Sequence, residues 1–355
     1  MSDNDITNIV YIWLDEIVTF CEKINQPNEE GYTPLMFAII HNIYSQHMNK
    51  AKYLIKAGAD VNIQKKYTNP QNELYTGWSA IMFAAKFGFS DAKTLIEILI
   101  EAGADVNKKD YDKWTALTIA IRYANEFAVD IVQVLIKAGA DVNAQTFEGW
   151  TPLLLSPGGY WYKHTDVMMR ILISAGVDVN VKNKYGMSAL MRAIEVANKY
   201  NTVKMVQALV DAGADVNAKD MLKRTVLMIA ITCCGDYSKQ IIYTLVNAGA
   251  DIYIKGVSGT MTDKTACDIA KNLKNFDMVD ILQLYDDNWS FKWTAKNNIQ
   301  LKLWSAQNIK IATTIILCWR NSYLSTIPWD LIREYILPMT IDRKDTIKLK
   351  RARIN

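Results

Sequence analysis

A short phrase that recurs along most of the chain restricts the possible folds more than any other feature of this sequence. It is complete four times, first as Ala57-Gly-Ala-Asp-Val-Asn62, and two variants keep the glycine and the aspartate. Successive copies are offset by 45, 36, 37, 37 and 36 residues. A repeat of this length is typical of a solenoid, in which each unit packs only against its neighbours. The copies begin at residues 57, 102, 138, 175, 212 and 248.

A second phrase, Thr or Ser before a short apolar run, stays in register with the first. Thr and Ser cap helix N-termini, and proline fits the first helical turn because no N–H is needed there. The glycine of the first phrase stands where a second helix must end, since glycine adopts the left-handed conformation at little cost. Each unit is therefore predicted to be helix, turn, helix and extended hairpin. The units, numbered in chain order, open at Thr33, Ser79, Thr115, Thr151, Ser188, Thr225 and Thr265.

The two phrases together resemble the ankyrin repeat over roughly residues 6–285. The resemblance implies an all-α solenoid of about seven repeats, with an N-terminal half repeat at residues 6–25 and a shorter terminal unit. In units 1 to 6 the opening Thr or Ser precedes the glycine by 24 or 25 residues. That is about one helical turn more than is common in ankyrin repeats, which predicts longer helices or a longer turn between them. We expect two domains, the repeats at 1–285 and a small helical C-terminal module at 286–355.

Partner contact is expected at the positions that vary between units. In ankyrin proteins the hairpin tips and first helices line a concave groove, and the residue before each opening Thr or Ser usually contacts the partner. Trp78, Trp114 and Trp150 hold that position in three consecutive units, and tryptophan is enriched among residues that dominate binding energy. We expect one solvent-facing stripe; alternatively, each tryptophan covers the hairpin of the next unit as structural packing. The hairpin tips add three exposed-looking aromatic residues at equivalent positions: Tyr111, Phe147 and Tyr185.

Two irregularities are further candidates for partner contact. Nine extra residues before Ser79 form a polar loop, and Ser156-Pro157-Gly158-Gly159 must break the first helix of unit 4. Long loops carry function in many proteins, but a tolerated insertion has the same signature.

The sequence contains none of the motifs that bind nucleotide phosphates or dinucleotides or form a zinc-protease site. Five cysteines without C-x-x-C spacing and three histidines predict neither a zinc site nor a disulfide framework. We therefore expect a monomeric protein of a reducing compartment that is no enzyme and binds no cofactor. Residues 1–286 carry a net charge of about −4, which disfavours nucleic acid as the main partner. No segment reaches the length of a membrane span, so no membrane partner is expected.

Residues 287–355 depart from the repeats, with five of the ten tryptophans and twelve Lys and Arg against five Asp and Glu. Residues 327–337 resemble the opening of an F-box, commonly Leu-Pro-x-Glu-Leu-x-x-x-Ile-Leu, and a shortened F-box is expected at 327–355. The arrangement is similar to poxviral ankyrin proteins with a PRANC-type end. It implies docking to a Skp-family adaptor and a cullin-type ubiquitin ligase. The residues expected to dock are Pro328, Leu331, Ile332 and Ile336.

The tail has other interpretations. Its apolar residues form a solenoid cap against the last repeat if the F-box resemblance arises by chance. A SOCS box fits less well, because Thr314 stands four residues before Cys318, where that motif has leucine. The basic residues 343–353 are either a solvated end or a patch for nuclear import or an anionic surface.

The preferred interpretation is a substrate adaptor, in which the groove captures a target protein and the tail docks a ligase subunit. Holding both partners on one chain raises their effective concentration. The alternative is a non-catalytic scaffold, or a competitive inhibitor of a host protein, with no link to a ligase. The viral resemblance implies the cytoplasm of a host cell, with the nucleus reached through the basic C-terminus.

Overall fold

The computed structural model describes residues 23–40, 46–66, 74–87, 91–123, 127–158, 165–196, 202–233, 238–258 and 261–288. The chain divides between Tyr285 and Asp286 into two units, and all but the last three described residues belong to the first. Most of the predicted half repeat and residues 289–355 therefore lie outside the described residues. The half repeat and the two-domain division stay predictions.

Pairs of short helices follow one another along the described part of the chain, as the repeats predict. In complete units the first helix has seven or eight residues and the second has ten or eleven, except in unit 4. The helices are α1 (Pro34–Ile40), α2 (Gln46–Lys56), α3 (Ala80–Phe87), α4 (Ala92–Glu101), α5 (Ala116–Arg122), α6 (Ala128–Lys137), α7 (Pro152–Leu155), α8 (Thr165–Ser174), α9 (Ala189–Glu195), α10 (Thr202–Asp211), α11 (Val226–Cys233), α12 (Ser238–Asn247), α13 (Ala266–Asn272) and α14 (Phe276–Asn288).

Each first helix begins directly after its opening Thr or Ser, and in every unit but the second that hydroxyl caps the helix. The Thr151 hydroxyl accepts a hydrogen bond from the N–H of Leu154 at 3.2 Å, and the Ser188 hydroxyl accepts one from Met191 at 3.3 Å. In unit 7, Thr265 and Asp268 cap each other reciprocally. Such a cap stabilises a helix by about 1 kcal/mol, so the predicted helix starts are confirmed for physical reasons.

The phrase Ala-Gly-Ala-Asp-Val-Asn ends one helix and joins it to the next unit. After α6, Gly139 has a φ of 87°, and its N–H donates to the carbonyl of Ile136 at 3.0 Å. Asp141 then accepts a hydrogen bond from the N–H of Asn143 at 2.9 Å. The Asn143 amide oxygen in turn accepts from the N–H of Asp178 in the following unit at 2.9 Å. This ladder of asparagines runs from Asn25 to Asn217.

The core is one continuous layer between the helices of neighbouring units. Each first helix packs against its own second helix and against the first helix of the next unit. In unit 3, the core residues include Leu117 and Ile121 of α5 and Ile131 and Leu135 of α6, and all four are buried. The Leu, Ile and Met at repeated positions are therefore core residues, as a solenoid requires.

Units 4 and 7 depart from this pattern. Helix α7 has four residues and continues as a single 3-10 turn at Ser156–Gly158, so the predicted helix break is confirmed. Before unit 7 the hairpin is longer and pairs two antiparallel strands, β1 (Gly256–Ser258) and β2 (Met261–Lys264). Gly256 is required there, because a Cβ atom would overlap the carbonyl oxygen of Lys223. Within the described residues, no helix combines the length and the apolarity that crossing a membrane would need.

Candidate functional site

Backbone hydrogen bonds between successive hairpins determine which hairpin residues are equivalent. The N–H of Phe147 donates to the carbonyl of Asp112 at 2.7 Å, and the N–H of Lys184 donates to the carbonyl of Glu148 at 2.9 Å. Lys184 is therefore the equivalent of Phe147. The expected equivalence of Tyr185 with the other two aromatic tips is wrong by one residue, because Tyr185 is one position closer to its opening serine.

The three aromatic tip residues are exposed to solvent, as expected. The exposed fraction is 74% for Tyr111, 59% for Phe147 and 49% for Tyr185. Lys184 Nζ lies 3.6 Å from the centre of the Phe147 ring, and the Tyr185 hydroxyl donates to Glu148 Oε1 at 3.1 Å. Two of the three tips are thus ordered by a neighbouring hairpin, while their role in partner binding stays a prediction.

Trp78 does not face solvent, so the expected stripe of three exposed tryptophans is wrong at this position. Only 6% of Trp78 is exposed, and its indole N–H donates to Asp110 Oδ2 in the next hairpin at 3.0 Å. The rings of Tyr75 and Phe83 lie 4.8 and 5.4 Å from it. The alternative interpretation, in which the tryptophan covers the hairpin of the next unit, is confirmed for Trp78.

Trp114 and Trp150 are both half-buried, but their indole N–H groups differ. Trp150 donates to Glu148 Oε2 within its own hairpin at 3.0 Å, and the guanidinium carbon of Arg192 lies 5.6 Å from its ring. The backbone N–H of Trp114 donates to Asp110 at 2.7 Å. Its indole N–H has no acceptor among the described residues, so it is available to an outside partner.

A pocket of about 390 Å³ opens beside these two tryptophans; we call it the unit-4 pocket. Trp114, Phe147 and Trp150 supply aromatic walls, and Leu154 and Leu155 of α7 line it as well. The shortened α7 stands between full-length first helices on either side, with Pro157 and Gly158 in its 3-10 continuation. A missing helical turn in this row leaves a concave space where the other units have side chains.

Four charged residues surround the aromatic walls: Asp112, Glu148, Arg122 and Arg192. Arg192 is paired with Glu195 at 3.1 Å. Glu148 accepts hydrogen bonds from the neutral groups of Trp150 and Tyr185, and it forms no ion pair with another described residue. The Glu148 hydrogen bond and charge raise the pKa of Tyr185 above its ordinary value. The pocket therefore combines apolar surface, an indole N–H without an acceptor among the described residues, and two carboxylates beside two arginines, which suits a polypeptide ligand of mixed polarity.

Several residues of the unit-4 pocket were missed by the sequence analysis. Arg122 stands seven residues after its opening threonine, and Arg192 stands four residues after its opening serine. Glu148 stands three residues before Thr151. A comparison of the units could have identified these positions, because they hold different residue types in other units, whereas core positions hold similar apolar residues.

Other predicted features either lie outside the described residues or have no counterpart in them. The predicted ligase-docking residues are outside the described ranges, and their role stays a prediction; they are Pro328, Leu331, Ile332 and Ile336. Within the described ranges, no three side chains of His, Cys, Asp or Glu lie close enough together to hold a metal ion.

Comparisons with known proteins support the repeat architecture. The family model for "Ankyrin repeats (3 copies)" matches residues 63–146, 127–220 and 160–256, and the model for "Ankyrin repeat" matches residues 30–66. The crystal structure of an ankyrin repeat domain from Acinetobacter baumannii AYE is 28% identical, with a TM-score of 0.50, over 61% of this chain and 98% of that one. The crystal structure of the ankyrin repeat domain of Bcl-3, a member of the IkappaB family, is 23% identical, with a TM-score of 0.53. The match covers 71% of this chain and 99% of that one. None of the curated proteins matches this sequence.

Proposed function

Because this chain belongs to the ankyrin-repeat family, whose repeats form protein–protein interaction modules, we propose that it captures a target protein at the unit-4 pocket. The observation that carries the proposal is the partly buried Trp114, whose indole N–H has no acceptor among the described residues, beside a concave space of about 390 Å³. Tryptophans in such positions contribute strongly to binding, because they bury a large apolar area and donate one hydrogen bond. Ankyrin domains are typically non-catalytic, and no enzymatic activity is part of this proposal.

Replacing Trp114 tests target capture. Tagged protein expressed in susceptible cells is purified, and co-purifying proteins are identified by mass spectrometry; the affinity of each is then measured with purified components. Trp114→Ala should weaken a true target by about 2 kcal/mol or more, roughly thirtyfold in Kd. The matched control is Tyr53→Ala, which removes another aromatic residue that is 71% exposed, on α2. A target that binds Trp114→Ala as tightly as the wild-type protein contradicts capture at this pocket.

The finer proposal is that the captured target is brought to a cullin-type ubiquitin ligase through residues 327–337. Its support is the F-box-like sequence of that segment, with Pro328, Leu331, Ile332 and Ile336 as the docking side chains. In this proposal the protein acts in the cytoplasm of a host cell. A scaffold or competitive inhibitor without a ligase link is the alternative, in which the same tail residues only cap the solenoid.

The ligase link is tested by a charge placed in the docking segment. Leu331→Asp should abolish co-purification of a Skp-family protein and a cullin, because an unpaired charge in an apolar interface costs several kcal/mol. Binding of the target at the repeats should survive, and Arg333→Asp, the same introduced side chain at a nearby polar position, should keep the ligase. Unfolding or aggregation of Leu331→Asp supports the capping alternative. Wild-type protein that recovers no ligase component from a lysate rich in them contradicts the adaptor proposal.

A further inference from the structure

The hairpins of units 5 and 6 expose apolar side chains that the unit-4 pocket does not use. The exposed fraction is 69% for Met221, 61% for Leu222 and 49% for Tyr185. The N–H of Met221 donates to the carbonyl of Tyr185 at 3.0 Å, so the two hairpins lie side by side and their apolar residues are neighbours. Exposed apolar residues clustered on ordered backbone mark interaction surfaces more often than isolated ones do.

Four lysines surround these apolar residues: Lys182, Lys184, Lys219 and Lys223, all exposed. Lys182 Nζ donates to the carbonyl of Lys219 at 3.2 Å, and Lys219 Nζ donates to the carbonyl of Lys255 at 3.4 Å. These acceptors are neutral, so they hold the lysines in place without cancelling their charge. We call the three apolar residues and four lysines the basic hairpin patch.

Residues 181–187 and 218–224 contain one carboxylate, Asp220, which does not neutralise the basic hairpin patch. Asp220 is 8% exposed, and its Oδ2 is bound by Arg224 Nε at 2.6 Å. The hairpin of unit 4 differs, since its one charged residue is the uncompensated Glu148. Positive charge is thus concentrated on units 5 and 6.

We infer that the basic hairpin patch binds an acidic, amphipathic segment of a partner protein, at a surface that borders the unit-4 pocket where Tyr185 bonds to Glu148 but does not include Trp114. Asp or Glu side chains of the segment pair with the lysines, and its apolar side chains cover Met221 and Leu222. Residues 1–286 carry a net charge of about −4, which repels an extended anionic surface such as a membrane or a nucleic acid. A short acidic segment contacts only the local lysines, and complementary charge at such a patch sets specificity and the rate of association.

The test begins with a displayed library of random peptides selected on the full-length protein. The selected peptides should be enriched in Asp and Glu together with Leu, Ile or Phe. Synthetic copies of the enriched sequences are then measured by fluorescence anisotropy. Their affinity should fall as salt rises from about 50 to about 300 mM, because salt screens exposed charges. Enrichment of basic or uncharged peptides, or no enrichment, overturns the inference.

Two double variants divide the patch into its charged and apolar parts. Lys184→Gln with Lys223→Gly removes two charges; glycine suits position 223 because Lys223 has a φ of 59°. Met221→Ser with Leu222→Ser removes the apolar contact. Each should weaken the selected peptides by about tenfold or more without changing the melting temperature, since all four side chains are exposed.

The matched control removes two exposed lysines from second helices, Lys93→Gln with Lys137→Gln, and should keep full affinity. A loss equal to that of the patch variants overturns the inference, because it shows a response to net charge alone. Trp114→Ala should also keep the peptides, which separates this surface from the unit-4 pocket and from the proposed target capture. Phosphatidylserine vesicles and an oligothymidylate are measured in the same way. If either binds more tightly than the selected peptides and depends on the same lysines, the choice of a protein partner is overturned.

Discussion

The surroundings of Trp78 and of Trp150 show how one sequence position acquires two different roles. Both residues directly precede the opening residue of a unit, and both indoles donate to a carboxylate. The acceptor of Trp78 lies in the next hairpin, whereas the acceptor of Trp150 lies in its own hairpin. Trp78 therefore joins two units, while Trp150 remains at the surface of one.

The residues nearby explain the difference. Around Trp78, Lys86 Nζ lies within 4.1 to 5.7 Å of the ring centres of Tyr75, Phe87, Tyr123 and Trp78 itself. Through these cation–π contacts the Lys86 side chain covers Trp78. In unit 4 the position equivalent to Lys86 is Gly158, which follows the shortened α7, so no side chain at that position covers the pocket. A glycine in the 3-10 turn after the first helix thus changes a structural tryptophan position into an open one.

The largest expected effect separates the two tryptophans by stability. Trp78→Ala should lower the free energy of unfolding by about 3 to 5 kcal/mol, because it leaves a cavity in the core. Trp150→Ala should cost about 1 to 2 kcal/mol, since Trp150 is only partly buried. Urea denaturation followed by circular dichroism measures both. Equal losses would mean that the two positions have the same structural role.

The next effect concerns Asp110, which connects the Trp78 indole to the backbone of Trp114 and Asp112, two residues that line the unit-4 pocket. Its carboxylate accepts hydrogen bonds from the Trp78 indole at 3.0 Å and from the backbone N–H groups of Trp114 and Asp112 at 2.7 and 3.0 Å. Asp110→Ala should cost about 2 to 3 kcal/mol in denaturation experiments, because buried donors lose their acceptor. Asp112→Ala, which removes an exposed carboxylate two residues away, should stay within about 0.5 kcal/mol. If Asp110→Ala lowers the free energy of unfolding only slightly, the hydrogen bonds that link Trp78 to Trp114 contribute little to stability.

A smaller effect is the pH dependence of the same carboxylate. Burial raises the pKa of Asp110 above its ordinary 3.8, although hydrogen bonds from Trp114 and Trp78 act against the rise. The folded state therefore holds this proton more tightly than the unfolded state. Its contribution to stability falls as the pH rises from 3.8 through the raised pKa. The stability of the wild-type protein relative to Asp110→Asn should decrease over that window in denaturation measurements.

Asp268 supplies the control for that measurement, because its shift has the opposite sign. Hydrogen bonds from Thr265 lower the pKa of Asp268 below 3.8, so its contribution is present above that pH and is lost as the pH falls through the lowered pKa. Wild-type protein relative to Asp268→Asn should therefore lose stability in acid. The same sign of pH dependence for both variants would contradict the opposite pKa shifts of Asp110 and Asp268.

The smallest effect is a change in titration at the edge of the unit-4 pocket. Glu148→Gln removes the charge that raises the pKa of Tyr185, so that pKa should move down toward 10.0. Carbon-13 NMR of labelled tyrosine measures it, with Tyr185→Phe to assign the resonance. An unchanged pKa would mean that Glu148 does not contact Tyr185 in solution.

Local chemistry made most of the fold predictable from sequence. A hydroxyl caps the helix that follows it, and a glycine ends the helix that precedes it, so Thr151 and Gly139 mark helix boundaries without reference to distant residues. Pro157 and Gly158 likewise signalled the break in α7. The exposure of the aromatic tips Tyr111 and Phe147 was predictable, because both occupy short turns between Asn and Thr.

The sequence by itself determined the repeat register, the helix pairs and the hairpins, because each depends on residues within a few positions of one another. Only the tertiary structure decided that Trp78 is buried, that the indole N–H of Trp114 has no acceptor among the described residues, and that a pocket opens beside Trp150. The deciding contacts come from neighbouring units, such as the bond from Trp78 to Asp110, which is 32 residues away. Identical residues at identical repeat positions differ in burial and in hydrogen bonding, because the side chains around each of them differ from unit to unit.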